Sequence, residues 1–186
     1  EKNICLLATP RGGSTWFMEM LWSQPGMKYC SEPFNVRNGS VVRNLGISTF
    51  SDLYSDDQLL KIGDYTDGLS KNKIRFLNPN PFRKLSRFYT TRIIYKLIHY
   101  GMANPDYFES SFNAHLLFVF RHPIPVSMSR EVFPLLEGFG RCRLRERFTD
   151  QQLQCADRAQ RSGSHLEKGV VAWCVHSCLP LNDLCD

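Results

Sequence analysis

Ile4-Cys5-Leu6-Leu7-Ala8 runs straight into Thr9-Pro10-Arg11-Gly12-Gly13-Ser14-Thr15, and that loop runs straight into Trp16-Phe17-Met18-Glu19-Met20-Leu21-Trp22. The first stretch is a short apolar run of strand length. The last has apolar residues at helical spacing and meets no breaker before Pro25-Gly26. The order is therefore strand, glycine loop, helix. Such a loop is an anion site, because the free N–H groups and the dipole at the helix N-terminus both point into it. Gly12 and Gly13 let the backbone approach a phosphate, Ser14 and Thr15 add hydroxyl donors, and Arg11 adds a planar cation. Two adjacent glycines taken alone would read first as a tight turn between strand and helix. The P-loop pattern GxxxxGK[ST] is not met, since no lysine precedes Ser14, and the dinucleotide fingerprint GxGxxG is absent as well.

Working outward, Ile93-Ile94-Tyr95-Lys96-Leu97-Ile98 is apolar and partly β-branched, and Leu116-Leu117-Phe118-Val119-Phe120 is the clearest strand pattern in the chain. Asn104-Pro105-Asp106 reads as a helix start, a further helix is expected around Ser51 to Leu60, and the chain looks helical from Gln151 onward, with a buried face around Val170 to Leu179. Phe34 to Arg92 reads as irregular. Strands separated by helices predict a three-layer α/β fold, a central parallel sheet flanked by helices. A length of 186 residues, with 42% hydrophobic and 22% charged residues, fits one globular domain.

A net charge of +5 favours an anionic partner and leaves nucleic acid, anionic lipid and a nucleotide open. The basic groups Arg83, Lys84, Arg87 and Arg92, and Arg141, Arg143, Arg145 and Arg147, read chiefly as solvated faces. Seven cysteines with no CxxC pair indicate neither a zinc ribbon nor a closed disulfide set, and predict reduced, mostly buried thiols. No histidine pair has metal-ligand spacing with a carboxylate, so no metal is expected. No run approaches the roughly 18 apolar residues of a membrane span. Glu1 is not a natural start, which leaves room for an upstream anchor.

Thr9-Pro10-Arg11-Gly12-Gly13-Ser14-Thr15-Trp16 resembles the 5′-phosphosulfate loop of sulfotransferases that use 3′-phosphoadenosine 5′-phosphosulfate (PAPS). Phe118-Val119-Phe120-Arg121-His122-Pro123-Ile124-Pro125-Val126-Ser127-Met128-Ser129-Arg130 is similar to the 3′-phosphate motif of the same family, a strand running into R-[DHN]-P with a serine eight residues after the arginine. The resemblance implies a P-loop-NTPase-like sulfotransferase fold. It also implies PAPS as cosubstrate and adenosine 3′,5′-bisphosphate as product, with a glycan, glycolipid or other alcohol acceptor rather than nucleic acid. Arg11, Gly12, Gly13, Ser14, Thr15 and Trp16 would hold the 5′ side, with Trp16 near the adenine, and Arg121 and Ser129 the 3′-phosphate. Trp16 reads equally as a core residue. Glu32, in Ser31-Glu32-Pro33, matches the place of a catalytic glutamate in several branches and is the expected general base, with a salt-bridge partner as the alternative reading; Arg11 and Lys96 are the expected cations on the leaving oxygen. His99 departs by one residue from the lysine–histidine spacing of the cytosolic branch and is the reserve base. His122 is expected to support its loop.

The family's further C-terminal contacts are not matched, so the chain reads as one domain lacking that part. Its compartment reads as cytoplasmic, or Golgi lumen if an anchor was removed. Two alternatives stand beside this reading: an ATP-preferring P-loop-like kinase, and a non-catalytic binder of anionic glycan or lipid. Phe82, Phe88, Tyr89 and Tyr95 are candidate acceptor contacts, with core packing an equal explanation.

Overall fold

The computed structural model describes residues 2–50, 52–74, 76, 90–98 and 100–185, the side chains of 56, 141, 143 and 179–185 excepted. Four strands, β1 (Asn3–Ala8), β2 (Met27–Ser31), β3 (Arg92–Leu97) and β4 (Ala114–Val119), form one sheet in the order β2-β3-β1-β4. Every pairing is parallel, with Leu6 opposite both Lys96 and Leu117. Helices flank this sheet, so the expected α/β architecture is present at that level.

Strand alternation sorts the core into two faces. Leu6, Tyr29 and Ile94 face Met18 of α1 (Ser14–Trp22), with Phe17, Leu21 and Trp22 closing that side. Cys5, Leu7, Tyr95 and Leu97 face the larger cluster, which includes Phe108 and Phe112 of α4 (Pro105–Phe112). Helix α1 carries the chain from β1 past β3 to β2, and α4 carries it from β3 past β1 to β4. The two crossovers move in opposite directions on opposite faces, as the right-handed rule for parallel connections requires. Neighbouring strands β1 and β3 thus send their connections to different sides, which opens a crevice at their carboxyl ends.

Several boundaries differ from the sequence expectation. The helix expected around Ser51 to Leu60 is replaced by two single 3-10 turns, Asp52–Tyr54 and Asp56–Gln58, followed by a helix over Leu59–Ser70. The helical period belongs to Ile62, Tyr65, Thr66 and Leu69, all buried, whereas Leu60 is 85% exposed. With α2 (Gly39–Leu45) and α3 (Leu59–Ser70), the segment after Phe34 is less irregular than its composition suggested. Asn38 caps α2 by accepting from the Ser40 N–H at 2.9 Å.

The remaining helices are α5 (Pro123–Met128), α6 (Pro134–Gly138), α7 (Asp150–Ser162) and α8 (His165–Cys185). A capping box formed by Thr149 and Gln152 starts α7. No helix among the described residues is long and apolar enough to cross a membrane. The expected reduced thiols are seen at six cysteines: Cys5, Cys30 and Cys142 are buried, Cys174 and Cys178 half-buried and Cys155 exposed. Of the basic groups, Arg83, Lys84 and Arg87 lie outside the described residues, and Arg145 makes a two-pronged bond to Asp157 at 2.8 and 3.0 Å.

Helix α8 lies against α5 through Gly169, where a Cβ would collide with Ser127 Cβ and lie 2.8 Å from Ser127 Oγ. Gly169→Ala should therefore lower stability by about 1–2 kcal/mol, overpacking outweighing the gain in helix propensity. Urea unfolding would show a lower midpoint at unchanged slope, and a higher midpoint would contradict the tight contact.

Candidate functional site

The carboxyl ends of the four parallel strands bring together segments far apart in the chain. After β1, Pro10 to Gly13 turns back, with the Gly12 N–H donating to Thr9 O at 3.1 Å. A Cβ on Gly12 would sit 2.9 Å from Thr9 O, so glycine is required here for the turn's own closure. Gly12 is buried and does not line the cavity, in contrast with the expectation that it approaches a phosphate. Gly13 does line it and has φ 90°, a left-handed conformation natural to glycine. No side chain caps α1 at Gly13, which leaves the N–H groups of the first turn for water or a ligand. Arg11 is also left-handed, at φ 66°, a conformation that costs a residue with a Cβ about 1–2 kcal/mol.

A cavity of about 800 Å³ opens on this loop. Arg11, Gly13, Ser14, Thr15, Trp16, Glu32, Arg121 and Ser129, all expected site residues, line it. Trp16 is 69% exposed on the cavity side, so the core explanation for it fails. Four arginines against two glutamates give the lining a positive balance. Arg121 Nη1 donates to Arg11 O at 3.4 Å, joining the two phosphate-motif segments across 110 residues.

Lys96 does not line the cavity but lies directly beneath it. It is 2% exposed, and its Nζ donates at 2.8 Å both to Thr15 Oγ1 and to Glu32 Oε1. The lysine that the loop lacks in sequence is thus supplied by β3. Glu32 has φ 58°, and its N–H donates to Lys96 O at 2.9 Å, so the backbone ladder and the ion pair lock the same two residues together. Asn35 Nδ2 donates to Glu32 Oε2 at 2.7 Å, leaving each carboxylate oxygen with a donor.

The serine expected two turns into its helix sits instead just past the end of α5. The helix stops at Met128, and Ser129 Oγ turns back to Val126 O at 2.9 Å. Ser127 Oγ already bonds Pro123 O at 2.7 Å, a local competition that shortens helices. Ser129 and Arg121 nevertheless line the same cavity. His122 supports its loop as expected, its Nδ1 accepting from the Ile124 N–H at 3.4 Å.

His99, the reserve base, lies outside the described residues, as do Phe82, Phe88 and Tyr89. Tyr95 is no acceptor contact, being 2% exposed and stacked on Phe112 with centroids 3.9 Å apart. Among the described residues no group of three or more His, Cys, Asp or Glu is placed to hold a metal ion.

Sequence reasoning missed Asn35, Arg37, Phe50 and Arg130, which line the same cavity. Asn35 and Arg37 follow Glu32 within five residues and Arg130 follows Ser129, so proximity to a motif was the available signal. Asn35 organises its turn: its N–H donates to Glu32 O at 3.0 Å, and its Oδ1 accepts from the Arg37 N–H at 3.1 Å.

Removing one partner of a sheltered ion pair strands the other charge. Glu32 keeps 24% of its side chain exposed, which reduces the cost below that of a fully buried pair. A double-mutant cycle of Lys96→Met and Glu32→Gln should give a coupling of about 1–3 kcal/mol by urea unfolding. Coupling within error of zero would mean that the pair does not form in solution.

No protein-family model, no curated protein and no solved structure matches this chain.

Proposed function

We propose that the chain is a PAPS-dependent sulfotransferase with the corresponding P-loop-like fold, moving a sulfuryl group to an acceptor hydroxyl by in-line displacement. The observation that carries this reading is the convergence on Lys96. One buried ammonium ties the loop hydroxyl of Thr15 to the carboxylate of Glu32, at the mouth of a parallel sheet whose crevice is edged by Arg11 and Arg121. The sequence resemblance assigned these residues to one reaction, and the fold gathers them at one place.

In this mechanism the first-turn N–H groups of α1 with Ser14 and Thr15 bind the 5′-phosphate, and Arg121 with Ser129 binds the 3′-phosphate. PAPS supplies the activated sulfuryl group when bound. Glu32 accepts the hydroxyl proton as the acceptor oxygen bonds to sulfur. As the bond from sulfur to the bridging oxygen breaks, Arg11 neutralises the charge left on adenosine 3′,5′-bisphosphate, and Lys96 adds its charge from beneath the cavity through Thr15. Exposed Trp16 offers a stacking face to the adenine.

A second reading, an ATP-preferring nucleotide-binding module, gains from Lys96, which places a cation on the loop as a P-loop lysine would. The two separate in one titration. The sulfotransferase reading expects micromolar binding of adenosine 3′,5′-bisphosphate that 5′-AMP does not match, and a loss of roughly 10- to 100-fold in Arg121→Ala. ATP binding as tightly would favour the second reading, and an unchanged affinity in Arg121→Ala would overturn the 3′-phosphate assignment. With an acceptor in hand, Glu32→Gln should lower kcat about 10²- to 10⁴-fold with the nucleotide affinity retained. A kcat near that of the parent would remove Glu32 as the base.

A further inference from the structure

In the proposed mechanism the nucleotide engages Arg11, Ser14, Thr15, Arg121 and Ser129. The cavity is also lined by Arg37, Phe50, Arg130, Val132 and Pro134, two further cations among them to which that mechanism gives no role. Arg130 is 8% exposed, its guanidinium lies 5.2 Å from the Phe133 ring centroid, and its Nη1 is shut off from solvent with no hydrogen-bond partner. The backbone beneath it is pinned, since the Arg130 N–H donates to Ser127 O at 3.2 Å and His165 Nε2 lies 2.7 Å from Arg130 O.

A buried guanidinium is stable only when paired. Burial, followed by the neighbouring charge of Arg37, pulls its pKa down to about 10, with Tyr54 acting in the opposite sense. Arg37 is exposed, with its guanidinium 5.8 Å over the Phe50 ring. Among the described residues neither arginine has a carboxylate within ion-pair distance, although exposed Glu131 lines the same cavity.

Arg37 is also placed relative to the base. Arg37 and Glu32 lie on a single turn, both tied to Asn35. Beyond them a second cavity of about 720 Å³ shares Arg37, Phe50, Val132 and Pro134 with the first, giving room for the rest of a larger molecule.

The geometry points to Arg37 and Arg130 as the subsite for an anionic group on the acceptor, a carboxylate, sulfate or phosphate carried near the hydroxyl that Glu32 deprotonates. This rests on the sulfotransferase reading of the site and names its substrate class: an alcohol that already bears a negative charge. The incoming anion supplies the counter-charge that the fold withholds from Arg130, so charged acceptors gain over neutral ones of the same shape.

Two matched probes test this, p-nitrophenyl β-D-glucuronide and p-nitrophenyl β-D-glucoside, which differ only in a carboxylate. Titrated into the full chain saturated with adenosine 3′,5′-bisphosphate, the glucuronide should bind at least about tenfold more tightly. Arg37→Ala, at an exposed position that tolerates truncation, should bring that ratio towards one with bisphosphate affinity unchanged. Arg130→Gln should do the same, with circular dichroism confirming its fold. Equal affinities, binding of neither probe, or a preference retained in Arg37→Ala would overturn the proposal. Loss of bisphosphate affinity in place of the preference would also overturn it, moving the arginines to the nucleotide. Inorganic phosphate abolishing the preference at concentrations below those of the glucuronide would assign the pair to a free anion, and would equally overturn it. Failure of the parent chain to bind bisphosphate would count against the nucleotide reading instead, and the same probes titrated alone would still report on the arginine pair.

Discussion

A charged lysine shut away from water at the end of β3 is the constraint around which the carboxyl edge of the sheet is arranged. The ammonium of Lys96 is stable in that position because Thr15 and Glu32 each supply an oxygen at 2.8 Å. Meeting that requirement fixes the start of α1 against β3 and bends the chain after β2 into a left-handed residue, Glu32. The strain of that backbone is offset by the Glu32 N–H continuing the strand ladder to Lys96 O. Glu32, the loop after β1 and the sheet are therefore one mechanical unit.

Around that unit positive charge is distributed in two ways. Arg11, Arg121 and the uncapped end of α1 edge the cavity with donors that can be satisfied by water, so they remain available for exchange. Arg130 is kept dry and against another cation, an arrangement that favours occupancy by an anion. The first kind suits an anion that exchanges readily with solvent. The second suits discrimination between substrates, because a buried cation left unmatched penalises a neutral ligand.

What the sequence disclosed was what is contiguous in it. The strand–loop–helix unit and the Arg121 to Ser129 segment were legible because each motif is local, and the parallel α/β arrangement followed from the order of apolar runs. Tertiary pairing was not legible. Lys96 was identified as a cation, yet its contact with Thr15 depends on the register of β3 beside β1, and its contact with Glu32 on β2 ending beside β3. Tyr95 showed the opposite failure, an aromatic of functional appearance that strand alternation turns into the core against Phe112. Arg130 went unnoticed because its burial is tertiary: α8 packs on Ser127 and on the Arg130 carbonyl, and the guanidinium lies over the Phe133 ring. Gly12 was noticed for the wrong reason, being demanded by the turn rather than by a ligand.

The pairing of β1 with β3 and β4 has a consequence for how the molecule is made. Strand β1 lies between two neighbours drawn from later in the chain, residues 92–97 and 114–119. Ile4 to Ala8 must wait, apolar and unpaired, until those later residues have been synthesised. Every strand contact is non-local, so loop-closure entropy is met before any sheet contact returns it, and folding should be slow for a chain of this size. During that interval the nascent chain exposes the apolar segment from which the loop of residues 9–13 will spring, which makes it a natural client for a chaperone.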